Sequence, residues 1–180
     1  MASSLPNKLT SDLHNLLFLN LCTNKLASLS IEWTRPLQSL KKLELGDNKL
    51  AIIGLSPVTI NLVDLDLSGN QPTVLDSKSH TQLNSLSPAG NQLSEISPNL
   101  PQQIPNITVL ILSKNKLDSL PKAPQSLACL QTLNIRENRA RDADSFTAVH
   151  SSLISYLDGS FSSTSWSSLG PTASRRPKKH

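Results

Sequence analysis

The chain has 180 residues, of which 37% are hydrophobic, 17% charged and 3% aromatic, and its formal net charge is +4 at pH 7. This length suits one domain with enough chain to enclose a core, and no apolar run reaches the roughly 18 residues of a membrane-spanning helix. Four of the positive charges sit in Arg175, Arg176, Lys178 and Lys179; the rest of the chain balances 13 Lys and Arg against 13 Asp and Glu, so the body is not the basic surface that phosphate backbones select.

In chain order, Leu5, Leu9 and Leu13 come first, at near-helical spacing, and residues 1–15 are expected to fold over the first turn as an N-terminal cap segment. No convincing secretory signal precedes them. A pattern then begins at Leu16, Leu19, Leu21, Asn24 and Leu26. It returns in full at Leu40, Leu43, Leu45, Asn48 and Leu50, and at Ile107, Leu110, Leu112, Asn115 and Leu117. The asparagines Asn24, Asn48, Asn70, Asn91, Asn115 and Asn138 are separated by 24, 22, 21, 24 and 23 residues. Self-similarity at this period predicts a solenoid of stacked turns. Each turn offers a short strand whose alternate leucines point inward, and a single turn cannot bury its apolar side alone. Each asparagine amide carries donors and an acceptor, which suits it to bond the buried backbone where the chain leaves the strand. Each of the six can therefore bond the backbone of adjacent turns.

Three copies depart from the pattern. The third has Pro72 two residues after Asn70, where a leucine is expected. The fourth has Pro88 at its third strand position, which predicts a weak or distorted strand because proline lacks an N–H. The sixth keeps Leu130, Leu133, Ile135 and Asn138 but ends on Ala140. Between the strands, Pro98, Pro101, Pro105, Pro121 and Pro124 argue against long helices and for extended or 3₁₀ segments.

This pattern resembles the leucine-rich repeat family over roughly residues 16–160. The resemblance implies an α/β solenoid: a horseshoe of about six repeats over 16–141, with a short parallel sheet on the concave side, mostly irregular or 3₁₀ convex segments, and the six asparagines joined in a structural ladder. After the repeats, Asp144 or Ser145 suits a helix start, and Phe146, Val149, His150 and Leu153 mark one helical face. Leu157-Asp158-Gly159 resembles the C-terminal cap of intracellular members of the family, which predicts a cap of helix and truncated strand over 142–160. Residues 161–180 are Ser-rich with a basic end and read as a flexible tail. The cap resemblance and the absence of cysteine-rich caps imply a cytoplasmic setting, cytoskeletal or axonemal included, with a nuclear one as alternative.

Chemistry leaves little trace. His14, His80, His150 and His180 form no metal-ligand spacing with cysteines or carboxylates. Cys22 and Cys129 lack a sequence partner that favours thiolate, are too far apart in the stack for a disulfide, and read as small buried or half-buried residues. Neither a phosphate-binding loop nor a nucleophile elbow is present, so the expectation is a non-enzymatic protein without cofactor or metal. Asn106-Ile107-Thr108 is a formal glycosylation triplet that is expected to go unmodified.

The outward strand positions predict a binding face. Glu44, Asp47, Asp64 and Asp66 fall on adjacent turns and form an acidic patch. Val109 and Ile111 give an apolar spot two turns on, and Phe18 a lone aromatic near the start. An apolar anchor beside charge suits a protein interface, here for a basic or amphipathic segment of a protein partner. The expected role is an adaptor or structural subunit in a larger assembly. The alternative is a nuclear or RNA-associated factor acting through the basic tail, against which stand the neutral body and the scarcity of base-stacking aromatics.

Overall fold

The computed structural model describes residues 12–29, 34–52, 61–75, 80–119 and 127–139. The C-terminal cap, the tail and most of the N-terminal cap segment expected from the sequence lie outside these residues.

Six three-residue strands carry the repeats: β1 (Phe18–Asn20), β2 (Lys42–Glu44), β3 (Asp64–Asp66), β5 (Ser85–Ser87), β7 (Val109–Ile111) and β8 (Thr132–Asn134). They form one parallel sheet in the order β1-β2-β3-β5-β7-β8. The register aligns the leucines: Leu19 pairs with Leu43, Leu43 with Leu65, Leu65 with Leu86, Leu86 with Leu110, and Leu110 with Leu133. From Leu43 to Leu133 all of them are buried, whereas Leu19, on the outermost strand, is half-buried. Full burial of one such side chain stabilises by about 1.5–3 kcal/mol, so the row of leucines is the main cohesive element between turns.

The convex side is short and mostly irregular. Strands β4 (Val74–Leu75) and β6 (Glu95–Ile96) pair in parallel as a second sheet between the third and fourth repeats. One helical turn, α1 (Leu100–Gln103), follows. Pro101 stands in its first turn, where no intrahelical N–H is needed. Leu100 and Ile104 turn inward from it.

The asparagines form one column. Asn48 Nδ2 donates to Leu45 O and Gly46 O of its own turn, and to Leu21 O of the turn before at 2.9 Å. Asn70, Asn91, Asn115 and Asn138 repeat this arrangement, reaching back to Leu45 O, Leu67 O, Pro88 O and Leu112 O at 2.9–3.0 Å. On the other side of the amide, Asn48 Oδ1 accepts from Leu26 N, Asn70 Oδ1 from Leu50 N, Asn115 Oδ1 from Leu93 N and Asn138 Oδ1 from Leu117 N, all at 3.0–3.1 Å. Asn91 departs from this pattern. Its Oδ1 is buried and accepts no hydrogen bond. In its turn of the register the donor position is Pro72, which has no N–H. Asn24, at the head of the column, is exposed and, among the described residues, bonds within its own turn to Leu21 O and Cys22 O.

The residue before each ladder asparagine takes the left-handed conformation: Thr23, Asp47, Lys114 and Glu137 at φ 54–57, Gly69 at 62 and Gly90 at 64. This sharp turn aims the amide at the stack. Gly69 has a second constraint, since a Cβ there would collide with Asp47 Oδ1.

The fourth strand meets the expectation of a weak element in one direction only, and it is not distorted. β5 has the length of its neighbours and pairs over three residues with β3. Toward β7 it keeps Ser85↔Val109 and Leu86↔Leu110, and only the third pair is missing. The reason is directional. In the other turns the residue at this position donates to the next strand, as Leu45 N does to Asp66 O and Leu67 N to Ser87 O. Pro88 forfeits that single donor and nothing else. Its ring is buried in the leucine row, and its carbonyl serves both Asn91 and Asn115.

Candidate functional site

The concave surface is the outward row on each side of the buried leucines. Along one row the register sets Phe18 against Lys42, Lys42 against Asp64, Asp64 against Ser85, Ser85 against Val109, and Val109 against Thr132. Along the next, Asn20 faces Glu44, Glu44 faces Asp66, Asp66 faces Ser87, and Ile111 faces Asn134. Paired positions lie about 4.8 Å apart across strands.

Glu44, Asp64 and Asp66 thus come together on two adjacent strands, and Asp47 stands above them on the left-handed turn. Lys42 sits in their midst. Its Nζ is 2.9 Å from Glu44 Oε1 and 5.4 Å from the centre of the Phe18 ring. Asn20 Nδ2 donates to the other Glu44 oxygen, so both oxygens of Glu44 are engaged. Asp66 Oδ1 accepts from Ser68 N at 2.9 Å, which fixes its rotamer. Among the described residues, Asp47, Asp64 and Asp66 form no ion pair.

The titration behaviour follows from this arrangement. The hydrogen bond to Glu44, then the Glu44 charge, with smaller contributions from Asp64 and Asp66, hold the Lys42 ammonium above its ordinary pKa. The Cys22 thiol is pushed up first by burial, and Asp66, Glu44 and Asp47 add to the rise against an opposing Gly46 backbone hydrogen bond. A raised thiol pKa disfavours the thiolate that nucleophilic chemistry requires.

The other expected contacts are spread along the face. Val109 and Ile111 are half-buried neighbours on β7, two strands and about 10 Å from Asp64 and Asp66. Ser85, Ser87, Ala89 and Gly90 leave low relief between them. Phe18 is 49% exposed on β1, about 19 Å from Val109 by strand spacing. It lies beside Lys42 and apart from the apolar pair. At the far end, Lys114 and Glu137 approach to 4.0 Å with both side chains well exposed, a pair worth about 0–1 kcal/mol.

Several residues take places that sequence reasoning missed. His80 is 1% exposed, and its carbonyl accepts from Leu83 N three residues on. Leu37 before Leu40 and Ile104 before Ile107 hold the same position, so His80 fills a core site that is leucine or isoleucine in other turns. Burial lowers its pKa from the ordinary 6.5. The phase of position 80 carried that signal. Cys22 is half-buried, but Cys129 is exposed, because it sits in the turn that enters β8 and not on an inward position. Asn106 is exposed and donates to Thr81 O at 2.7 Å, as Asn61 does to Gln38 O at 2.8 Å. The triplet asparagine is thus among the side chains that tie the strand entrances of successive turns, as Thr108 also does through Asn84. Among the described residues no three His, Cys, Asp or Glu side chains form a metal-binding group, and no described helix is long and apolar enough to cross a membrane.

Comparison with known proteins agrees with this architecture. Residues 81–139 match the family model described as Leucine rich repeat. The chain is 26% identical to human leucine-rich repeats and immunoglobulin-like domains protein 3, covering 72% of this chain and 14% of that protein. Among solved structures, the TLR13–ssRNA13 complex superposes with a TM-score of 0.70 at 27% identity, over 78% of this chain and 21% of that one. The Toll–Spatzle complex of Drosophila gives 0.70 at 25% identity, over 77% and 21%. The chain therefore spans between about a seventh and a fifth of these relatives. The matched repeats, the aligned leucines and the asparagine column give this chain the fold of leucine-rich repeat proteins and a family match over residues 81–139.

Proposed function

We propose that the chain is a non-enzymatic binding module whose concave face captures a protein partner. The segment captured is basic or amphipathic. Its cations meet Glu44, Asp47, Asp64 and Asp66, and an apolar side chain rests on Val109 and Ile111, with Phe18 at the margin. The observation that carries this reading is the set of carboxylates on the second and third repeats, three of them without an ion pair among the described residues, two strands from an apolar pair. Charge of this kind steers encounter, and the apolar contact holds the complex. Of the relatives, Toll is seen in complex with Spatzle, and a protein ligand fits that precedent. The role is that of an adaptor or structural subunit in a larger cytoplasmic assembly, with an axonemal or cytoskeletal complex as one setting.

The test is capture from a native extract followed by mass spectrometry, with the double variant Asp64→Lys, Asp66→Lys as control. Both side chains are half-buried and outward, so the variant is expected to fold, with an unchanged circular dichroism spectrum, and to lose the partner. Unchanged capture removes this patch from the interface. The alternative, an RNA-associated nuclear factor, draws on the basic residues 175–180 and on the complex that TLR13 forms with ssRNA13. It predicts RNA binding that falls steeply with salt and disappears when residues 175–180 are deleted.

A further inference from the structure

Two prolines bear on the same turn of the solenoid from opposite sides. At the joint between the third and fourth repeats, Pro72 occupies the ladder-donor position, and the buried Asn91 Oδ1 is left without a hydrogen bond. At the joint between the fourth and fifth repeats, Pro88 occupies the last strand position, and the pairing of Ser87 with Ile111 is lost. Both losses lie on the edge where the strands run into the asparagine turns. The convex side of the first joint is tied more firmly. There β4 and β6 pair, and Ser94 N and Ser97 N donate to Thr73 O and Leu75 O, both at 2.9 Å. The joint between the second and third repeats has neither defect. Leu45 N, Asp47 N and Leu50 N all find their acceptors in the third repeat.

In a stacked-turn protein each repeat is held only by its neighbours, so the weakest interface decides where the stack opens. A buried acceptor without a donor favours any conformation that lets water reach it. We propose that the fourth repeat is a built-in hinge: the solenoid opens along its asparagine edge at this turn, pivoting on the β4–β6 pair. Opening there changes the angle between the half that carries Glu44, Asp64 and Asp66 and the half that carries Val109 and Ile111. The inference concerns the scaffold and holds whatever the concave face binds.

Native-state hydrogen exchange on the full chain, resolved by residue, tests it. Leu67, Gly69, Gly90 and Leu93 donate across the two joints of the fourth repeat, and their amides are expected to exchange at least about tenfold faster than those of Leu45, Asp47 and Leu50. Ser94 and Ser97, on the pivot, are expected to exchange more slowly than Gly69. Replacing Pro72 restores the missing donor. Pro72→Leu or the smaller Pro72→Ala should slow Gly69 and Gly90 several-fold, leave Leu45 and Asp47 nearly unchanged, and give residue 72 a protected amide of its own. Equal protection at the second–third and third–fourth joints overturns the hinge. A slowing spread evenly over all repeats in both variants, or no change in either, overturns it as well.

Discussion

Asn91 and Asn115 offer a controlled comparison. Both are 7% exposed, both donate to three carbonyls, and they stand on adjacent turns of one column. Truncating Asn115 to alanine removes its bonds to Pro88 O, Leu112 O and Ser113 O. Each of those oxygens keeps another donor: Asn91 for Pro88, Asn138 for Leu112 and Gly90 N for Ser113. Truncating Asn91 is equivalent on this side. Leu67 O keeps Asn70, Pro88 O keeps Asn115, and Ala89 O keeps Gly69 N. The difference is the acceptor. Asn115→Ala leaves the buried Leu93 N–H without its partner, whereas Asn91→Ala removes an oxygen that had none. A buried donor stripped of its acceptor costs about 1–3 kcal/mol. Asn115→Ala should therefore be the more destabilising of the two by that amount, read as the difference in urea-unfolding free energies. Equal losses, or a larger loss for Asn91→Ala, would show that the Oδ1 contacts do not stabilise the stack and would refute the reasoning.

Two further variants probe the same scaffold. Gly69→Ala should destabilise more than Gly90→Ala, although both sit at positive φ where a side chain costs about 1–2 kcal/mol; at Gly69 a Cβ displaces the Asp47 carboxylate and also comes within 3.3 Å of Asp47 N, which cannot rotate away, the nearest atom at Gly90 being 3.6 Å away, and thermal melts of the pair would decide it. His80 makes stability pH-dependent, because its folded-state pKa lies below the ordinary 6.5. As pH falls below that value the unfolded chain gains a proton that the folded one does not, so stability falls, by at most about 1.4 kcal/mol per pH unit for one site. His80→Leu should flatten the unfolding free energy between pH 7.5 and 5, and an unaltered slope would exclude His80 as its source.

What the sequence made legible was whatever repeats in phase. Leu43, Leu65, Leu86 and Leu110 had to stack because their spacing leaves no other way to bury them. The neighbourhood of Glu44 and Asp66 followed from the same register. What escaped was geometry carried by residues of varied type. Thr23, Asp47, Lys114 and Glu137 do not advertise a left-handed turn, and only Gly69 and Gly90 in the same phase hinted at it. His80 was hidden by its polarity, although position 80 keeps the phase of Leu37 and Ile104. Pro88 was overestimated, since a proline withdraws one donor in one direction and here only Ile111 lies that way. Pro72 was underestimated for the converse reason. Its missing N–H faces a side chain one turn away, and the pairing of Pro72 with Asn91 emerges only once the turns are stacked. Lys42, tied to Glu44 and lying over Phe18, tempers the acidic patch in a way that spacing alone does not reveal.

The left-handed row also bears on function. Four of its six residues are not glycine, and three of those, Asp47, Lys114 and Glu137, are charged and exposed on the rim of the concave face. Each costs about 1–2 kcal/mol against an unstrained backbone, while glycine brings its own entropic cost of about 0.5–1 kcal/mol. Glycine at each site should then stabilise by up to about 1.5 kcal/mol. A solenoid shaped by folding alone would gain from glycine at all six turns. Strain held at a rim position is the kind of outlier that points to a use outside folding; under the function proposed above, that use is contact with the partner's charges. The triple variant Asp47→Gly, Lys114→Gly, Glu137→Gly separates the two demands. It is expected to melt several degrees higher than the parent chain and to capture the partner less well. A higher melting temperature with full capture would mean that these side chains serve no interface, and would confine the binding face to the strands beneath them.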